Sequence, residues 1–430
     1  MSDCRAFRPF ESLYFTFLLC LSSIPMRAQL GQVTGSTPFL PTSQWENPAF
    51  ISEQSFETLQ LDFSGKFWLS NNQFTLEDLV RGGNAISTER KNGIISQLGE
   101  DNRFQQGFDL GGILNFRLGK QIWLLSIKRQ QSLYLRVDDS VSAGLLFRGN
   151  APYVGREIKD DRVEWRNLSY TTFGLGSSWQ QGPFSWGFHA KLVKGISAQV
   201  VDRLSYTLFT TETGNRIDLQ ADYDGFTTTR DTDGWGVGID LGASYQLAPD
   251  KILDLAVKNL GMINWEGIQS TNQVDVQYDG VTWDNFIQNG GTTSLAIGDT
   301  LQQLIFPDSV EGNFTYTLPS SARIGLRVGT LTQGVWTLAV SQALTNFAPT
   351  TPLPLVQGGY MRKIKNLSGG IHAHLGGMEL YGLGIWGELQ IPFSTQTQMG
   401  IYANFPNILG LVAPEISREL NVQGGIYLKL

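Results

Sequence analysis

Cysteine and histidine are scarce in this chain of 430 residues. Its two cysteines, Cys4 and Cys20, lie in a stretch that we expect to be removed on export, and only three histidines occur. The mature chain would then hold no disulfide, no cysteine nucleophile and no thiolate metal site. No histidine stands in a recognisable nucleophile setting. We therefore predict no enzyme activity, no catalytic residue, no metal and no cofactor.

Charge and long apolar runs are also low. Charged residues make up 17 % of the chain, against about 25 % in soluble globular proteins. The net charge of −7 comes without a basic run, which argues against a nucleic-acid partner. No stretch has about 18 continuous apolar residues, so no helix is predicted to span a membrane. Glycine, with 48 residues, is abundant, and chains rich in glycine and aromatics are typical of β-barrels.

The first 28 residues have the pattern of an export signal. Arg5 and Arg8 precede the apolar stretch 13–21, and cleavage is predicted between Ala28 and Gln29. The apolar stretch is too short to span a bilayer as a helix. An exported chain with long two-faced strands is predicted to lie in the outer membrane of a Gram-negative bacterium.

Strand-like alternation recurs along the chain. From Phe104 to Phe116 every second residue is mostly apolar, whereas the residues between are mostly polar. Successive side chains of a strand point to opposite faces, so such a run can cross a bilayer with lipid on one side and water on the other. The same pattern marks residues 121–137, 184–200, 235–246 and 322–328. On the second of these strands, Ala198 and Val200 are assigned to the lipid face.

Short and long connections alternate between these strands, as they do in outer-membrane barrels. The predicted long connections include residues 138–162, 203–233 and 262–312. With a first strand at 56–69 and a last at 420–430, the pattern predicts an all-β, membrane-spanning, antiparallel up-and-down β-barrel of about 14 strands. It would have short periplasmic turns and long extracellular loops. Short helices are predicted after the first strand, from the capping box Thr75–Asp78 and the helical spacing at 89–98.

The segment Trp45-Glu46-Asn47-Pro48-Ala49 resembles the Asn-Pro-Ala element in the N-terminal plug of FadL-type long-chain fatty acid transporters. Further segments resemble such barrels, or a Bacteroidota outer-membrane barrel family of unknown function related to FadL-type and PorV-like barrels: 187–195, 234–242, 259–265 and 318–325. The resemblance implies 14 strands and a plug that gates substrate passage. The alternative is an extended linker held by Pro48, since proline restricts the preceding residue to an extended conformation. We divide the chain into a signal peptide (1–28), a plug or periplasmic segment (29–54) and a barrel (55–430).

A set of polar residues alternates with the apolar rows and is expected to face the lumen. The set comprises Asp109, Arg117, His189, Lys191, Asp240, Arg323, Arg327 and Glu388. These side chains would either line a conduit and orient a polar head group, or form a salt-bridge network that fills the barrel. Both interpretations stay open, because a polar interior is needed whether or not anything passes.

Two short motifs suggest metals only weakly. His372 and His374 share one face of a strand, but no third ligand is evident. Asp231-Thr232-Asp233-Gly234 begins like a calcium loop yet lacks the remaining ligands.

The sequence leaves three functions to compare. The favoured one is a FadL-like barrel that passes a hydrophobic small molecule across the outer membrane, with membrane lipid and that molecule as its partners. The alternative is a non-transporting barrel that docks a protein, or acts as a secretion-machinery subunit, through its extracellular loops. A barrel enzyme has the least support and would depend on His189 or His372. A soluble β-sandwich remains the structural alternative, because alternation also suits sandwiches.

Overall fold

The computed structural model describes residues 40–53, 56, 58–80, 88–119, 121–148, 151–214, 216–228, 234–278, 309–344, 354–376 and 381–430. The predicted signal peptide 1–28 lies outside the described residues, as do residues 29–39 and 54 of the predicted plug segment. Residues 231–233 of the calcium-like motif lie outside them too.

The described residues form sixteen strands in one antiparallel sheet. In chain order they are β1 Leu59–Asn71, β2 Asn102–Leu118, β3 Gln121–Val137, β4 Glu157–Gln181, β5 Phe184–Thr210, β6 Ile217–Thr227, β7 Gly234–Ala248, β8 Lys251–Tyr278, β9 Ser309–Thr317, β10 Ser321–Thr330, β11 Gly334–Ala343, β12 Leu355–Ile364, β13 Leu367–Leu375, β14 Tyr381–Pro392, β15 Gln398–Asn407 and β16 Glu419–Lys429.

The sheet closes into a ring of fourteen strand positions. Strand β1 pairs with β16, which joins the first and the last strand of the sheet. Two positions are each shared by two strands, because β6 and β7 follow one another along β5, and β9 and β10 follow one another along β8. The closed, all-β, antiparallel barrel of 14 strands predicted from the sequence is therefore confirmed.

The wall has two faces of opposite character. Leu110 and Val237 are each 63 % exposed on the outside, whereas Asp109 and Asp240 are 6 % and 1 % exposed on the inside. This is the period of two expected for strands with one apolar and one polar face. The alternation read from the sequence therefore holds for most of each strand.

On β5 the alternation inverts, and the prediction for Ala198 and Val200 is wrong. Both side chains point inward and are buried. The cause is a β-bulge: Ser197 pairs with Ser169 and Gly195 pairs with Tyr170, which leaves Ile196 as an extra residue. One extra residue moves every later side chain to the other face of the sheet.

The long connections are shorter than predicted, because several strands continue beyond the apolar rows that defined the predicted strands. The predicted loop 203–233 holds the end of β5 and all of β6, and the predicted loop 262–312 holds the end of β8 and the start of β9. Strand β6 alternates as well, with Ile217, Leu219 and Tyr223 on one face and aspartates on the other, so the sequence held a signal for it that the prediction missed. The extension of β8 begins instead with residues that are polar on both faces, 269–273. The backbone groups of both extensions pair in full ladders.

The described residues include four short helices, which lie in connections at the barrel end opposite the short turns. They are α1 Leu76–Val80, α2 Thr88–Gln97, α3 Ser140–Arg148 and α4 Leu409–Val412. One half of the predicted capping box is present, because Asp78 Oδ2 accepts the Thr75 N–H over 3.2 Å, and it also accepts the Thr75 hydroxyl over 2.9 Å. Within the described part of the chain, none of the helices has the length and hydropathy needed to cross a bilayer.

Candidate functional site

Residues 40–53, which we call the inner segment, cross the interior of the barrel. They form two short 3₁₀ turns, Pro41–Trp45 and Pro48–Ile51, each opened by a proline that fixes the entry angle. Leu40 packs against the inward side chains of Val335 and Met361, whereas Ile51 packs with Ile113. These contacts lie on β11 and β12 at one end and on β2 at the other. Because β2 and β11 are seven positions apart in the ring of fourteen, the inner segment spans the lumen.

Asn47 seats the inner segment on the wall. Its Nδ2 donates to the carbonyl oxygens of Leu255 (3.2 Å) and Ala243 (3.4 Å), while its Oδ1 accepts the Ala49 N–H (2.9 Å). Two wall glycines make this close approach possible. A Cβ at Gly242 would lie 1.9 Å from Asn47 Oδ1, and a Cβ at Gly187 would lie 2.5 Å from the Pro48 carbonyl oxygen. Asn47 itself is extended, with φ −149°, as expected before a proline.

Ion pairs tie the inner segment to the wall on the same side. Arg327 donates to both carboxylate oxygens of Glu53 over 2.7 Å each, and its guanidinium stacks 4.7 Å from the ring centroid of Phe50. Lys258 binds Glu46 at 2.5 Å. Bidentate arginine–carboxylate pairs are both strong and geometrically specific. The inner segment therefore has a defined seat near the short-turn end of the barrel.

A cavity of about 180 Å³ lies against the inner segment, with Thr42, Trp45 and Glu46 forming part of its lining. Basic side chains outnumber acidic ones around it. The charged lining residues are Glu46, Lys66, Asp109, Lys128, Arg166, Lys191, Lys258 and Arg323. Most of the cations have a carboxylate close by, for example Lys128 with Asp109 at 2.7 Å and Arg323 with Asp254 at 2.6 Å.

Lys66 differs from the other cations of the lining. Its residue is only 7 % exposed, and its Nζ makes no hydrogen bond to any of the described residues. The ring of Trp68 has its centroid 5.7 Å from Nζ. A buried ammonium without a hydrogen-bonded counter-charge is unfavourable. The cavity thus offers a ligand an ammonium whose hydrogen-bond donors are unused.

An apolar cluster adjoins this cavity. It is built from Leu168, Tyr170, Val193, Ala198, Val200, Phe226, Ile263, Trp265, Tyr316 and Leu318, with Phe314 packed against it. Leu168, Tyr170 and Tyr316 also line the cavity, so the polar cavity and the apolar cluster form one continuous interior.

The apolar cluster lies behind an interruption in the wall. The β5–β7 ladder ends at the pair Gly195–Gly234, and the β5–β6 ladder resumes at Gln199–Thr227. Between these two pairs, residues 196–198 of β5 have no ladder partner on β6 or β7, and Ala198 accepts a hydrogen bond from the Thr228 N–H over 2.9 Å. Trp265 fills the space over both glycines, because a Cβ at Gly195 or Gly234 would come within 2.1 or 2.4 Å of its indole.

All eight polar residues singled out from the sequence lie at inward positions of their strands. Seven of them have partners in the wall or the inner segment: Asp109 binds Lys128, His189 and Lys191 bind Asp240, Arg323 binds Asp254, Arg327 binds Glu53, and Glu388 accepts from Tyr427. Arg117 lies at the exposed end of β2, on the same face as Asp109, with its guanidinium 5.7 Å from the ring centroid of Phe56.

Sequence reasoning missed Glu53, Lys66, Lys128 and Lys258. The two lysines Lys66 and Lys128 stand at inward positions of apolar-alternating strands, so the alternation held the signal that could have found them. Glu53 lies outside any strand, and nothing local connects it to Arg327.

The histidine pair is buried in the wall. His372 and His374 lie against Gly384 and Gly382 of β14, where a Cβ would come within 2.0 and 2.1 Å of the rings. Among the described residues, no group of three or more His, Cys, Asp or Glu side chains is placed to hold a metal ion.

Comparison with known proteins gives a family and a set of similar barrels. The model of the "Family of unknown function (DUF5723)" matches residues 48–369, and no curated protein matches. The toluene transporter TbuX of Ralstonia pickettii is similar at 10 % identity over 95 % of this chain and 98 % of its own, with a TM-score of 0.49. The toluene transporter TodX of Pseudomonas putida is similar at 12 % identity over 94 % of this chain and 98 % of its own, with a TM-score of 0.47. A FadL homologue of Pseudomonas aeruginosa is similar at 10 % identity over 94 % of this chain and 97 % of its own, with a TM-score of 0.46. No statement about this chain's function follows from likenesses at this level.

Proposed function

This chain belongs to DUF5723, a family of unknown function, and we propose that it carries a hydrophobic small molecule across an outer membrane. The proposal is inferred from the chain's own residues. The observation that carries the proposal is the inner segment: a seated obstruction near the short-turn end, in contact with a basic cavity that continues into an apolar cluster. A barrel that was merely filled would not need a polar and an apolar compartment in series.

Placement in the outer membrane is supported by the two-faced wall. Large apolar side chains such as Leu338 (52 % exposed) and Ile371 (58 % exposed) point outward on strand after strand. Soluble proteins rarely expose contiguous apolar surface on this scale, whereas a lipid-facing apolar band is the rule for outer-membrane barrels. We further propose that residues 1–28 direct export. Under this proposal membrane lipid is the first partner of the chain.

The interior favours a ligand with an apolar body and an anionic head group. The cluster around Trp265 would take the apolar body, and the unsatisfied ammonium of Lys66 would bind the head group. The cavity of about 180 Å³ is smaller than the roughly 300–1,000 Å³ of ordinary small-molecule pockets. The described state is therefore closed, and admitting a ligand requires the apolar cluster or the inner segment to move.

In this mechanism the inner segment, including Asn47, Pro48 and Ala49, acts as the plug. Ligand binding would loosen its tie to Lys258, because a second anion in the cavity competes with Glu46 for that cation. Release would follow inward, past the displaced segment, or sideways, where residues 196–198 of β5 have no ladder partner on β6 or β7.

Deleting residues 30–50 tests the proposal. Cells or proteoliposomes with the shortened chain should take up a fluorescent hydrophobic probe at a changed rate, whereas a small ionic dye that leaks through any open barrel serves as the control. Retained heat-dependent gel mobility would show that the shortened barrel folds. Uptake of the hydrophobic probe equal to that of the full chain, in a folded barrel, would count against transport.

A second candidate, docking of a protein, is favoured by one specific observation. Leu411, Val412 and Ile416 are 49 %, 69 % and 51 % exposed in the connection that holds α4. Exposed apolar residues grouped at one end of a molecule often mark interaction surfaces. Crosslinking in intact cells followed by mild extraction would return a defined partner if the chain is a docking subunit, and a lone monomer if it is not.

A further inference from the structure

Three side chains on neighbouring strands of the inner face are linked by hydrogen bonds. Ser126 Oγ on β3 lies 2.8 Å from His189 Nε2 on β5, and His189 Nδ1 lies 3.2 Å from Asp240 Oδ2 on β7. Strand β4 runs between Ser126 and His189, and the contact passes over Gly174. A Cβ at Gly174 would lie 2.0 Å from His189 Nε2 and 2.4 Å from Ser126 Oγ. Only glycine at this position lets the serine and the histidine meet.

The surroundings of Asp240 determine which nitrogen of His189 carries the proton. Asp240 accepts from the Asn259 N–H over 2.6 Å and from the Lys191 ammonium over 2.7 Å. It is therefore held as a carboxylate, and it accepts rather than donates toward His189. The Nδ1 of His189 then carries the hydrogen, and its Nε2 is left as the acceptor for the Ser126 hydroxyl.

Burial, which leaves His189 only 2 % exposed, and then positive charge near the site keep the imidazole neutral. Lys191 binds Asp240 and balances its charge, and Lys128 lies two residues from Ser126 on the same face of β3. A third cation at His189 would add like-charge repulsion in a buried place. The serine hydroxyl is therefore hydrogen-bonded to an unprotonated base that is itself oriented by a carboxylate. This is the geometric requirement for an activated serine nucleophile.

The interior cavity lies next to this place, although Ser126, His189 and Asp240 are not among its lining residues. Lys128 and Lys191, which flank Ser126 along β3 and across the sheet, both line the cavity. Trp45 of the inner segment also lines it and packs edge-on against His189 with ring centroids 5.7 Å apart. Ser126 itself is neither exposed nor fully buried. Displacing Trp45 would widen the way from the cavity to the serine and the histidine.

We propose that Ser126, His189 and Asp240 form a hydrolytic site for carboxylic esters with an apolar acyl group. Ser126 and His189 are the catalytic residues and Asp240 is a positioning residue. The activity goes beyond transport and does not depend on it. It also departs from the expectation, drawn from the sequence, that the chain has no catalytic residue.

The reaction uses water as its only co-reactant. Ser126 Oγ attacks the ester carbonyl carbon while its proton passes to His189 Nε2. The bond between that carbon and the alcohol oxygen breaks, and the alcohol leaves with the proton from His189. Water then attacks the acyl-serine, giving a proton to His189 Nε2 and releasing the carboxylic acid as Ser126 regains its hydrogen. Lys128 supplies positive charge near the oxyanion that forms in both halves.

Covalent labelling of the folded full-length protein in detergent tests the site. The probe is an alkyl fluorophosphonate, which reacts with activated serines, and the readout is intact mass followed by peptide mapping. We expect a single adduct on Ser126, lost in Ser126→Ala and slowed at least 100-fold in His189→Gln, since a general base contributes about 10²–10⁴ in rate. Trp45→Ala should be labelled faster than the natural chain, because it uncovers His189.

A matched control separates chemistry from folding. Ser177→Ala removes another serine hydroxyl, a buried one that donates to the Ile122 carbonyl over 3.0 Å, and it should keep the Ser126 adduct. Gly174→Ala changes none of the three residues, but its Cβ would push Ser126 and His189 apart, so it should abolish labelling in a barrel that still shows heat-dependent gel mobility. Asp240→Asn should lose rate at neutral pH and recover part of it in alkali, a profile that a purely structural role would not produce.

Two results would overturn the proposal. One is the absence of a Ser126 adduct in both the natural chain and Trp45→Ala. The other is an adduct that forms at the same rate in His189→Gln. Hydrolysis of 4-nitrophenyl alkanoates, lost in Ser126→Ala, would extend the result from labelling to turnover. Because labelling is read in detergent, its failure leaves the transport proposal standing, and failed uptake leaves this one standing.

Discussion

Arg327 donates two parallel hydrogen bonds of 2.7 Å to Glu53, joining the barrel wall to the inner segment across 274 residues of chain. The Arg327 side chain is 5 % exposed and the Glu53 side chain 22 % exposed. The pair is therefore partly shielded from solvent, and its geometry fixes where the inner segment ends. If the inner segment is a plug, this contact is one of its fastenings.

Replacing Arg327 with methionine should loosen the inner segment. The loss of one partner of a buried ion pair costs about 3–5 kcal/mol, and partial exposure of Glu53 reduces this to about 2 kcal/mol here. A cysteine introduced as Ala49→Cys, the only thiol of a chain that begins at residue 29, should then react with maleimide about tenfold faster or more. Arg323→Met is the control, since Arg323 binds the wall residue Asp254 rather than the inner segment. Equal reaction rates in all three chains would contradict the fastening.

Adding one methyl group at Gly242 should unseat the inner segment without changing any charge. In Gly242→Ala the new Cβ would lie 1.9 Å from Asn47 Oδ1 and 2.9 Å from the Ala49 nitrogen. The inner segment has to move, and the two hydrogen bonds from Asn47 to the wall are lost. The Ala49→Cys reporter should again react faster, and thermal denaturation should begin at a lower temperature.

The matched control for this variant is Gly387→Ala. Gly387 lies in a strand like Gly242, but an added Cβ there meets no atom within 4 Å. In Gly387→Ala, the Ala49→Cys reporter should react with maleimide at the same rate as it does without the alanine. If Ala49→Cys reacts equally slowly with maleimide in both alanine variants, the inner segment is not seated as described.

The ammonium of Lys66 should select ligands by head-group charge. In Lys66→Met, binding of a fluorescent amphiphile with a carboxylate should weaken by about tenfold or more, since a hydrogen bond to a charged group is worth roughly 1.5–3 kcal/mol. Binding of the corresponding alcohol or methyl ester should change little. Fluorescence titration of the purified protein measures both. A parallel loss of affinity for the charged and neutral ligands would argue against Lys66 as the head-group site.

Trp265 should both stabilise the barrel and restrict passage. Trp265→Ala leaves a cavity over Gly195 and Gly234, and such core truncations cost about 3–5 kcal/mol. If the apolar cluster is part of the route, the same variant should speed the uptake of a hydrophobic probe. Trp336→Ala is the control, because Trp336 is 65 % exposed on the outer face and lies outside the apolar cluster. Uptake that is unchanged despite lower stability would place the route elsewhere.

Much of the wall could be predicted from the sequence because its signal is local. The period of two that places Leu110 outside and Asp109 inside is set by the extended backbone alone. The limits of the prediction are physical as well. The extra residue Ile196 inverts the faces of β5 in a stretch whose composition does not change. The continuation of β8 begins with five residues that are polar on both faces, 269–273, although its backbone pairs like that of any other strand.

By itself the sequence determined a series of two-faced strands, because the face on which a side chain lies follows from the alternation of its immediate neighbours in the chain. Only the tertiary structure decided which inward residues meet. Glu53 contacts Arg327, and Ser126 contacts His189 over Gly174, because strand register and ring closure bring together positions that are far apart in the chain. Contacts of that kind depend on where every strand pairs, and no short window of sequence contains that information.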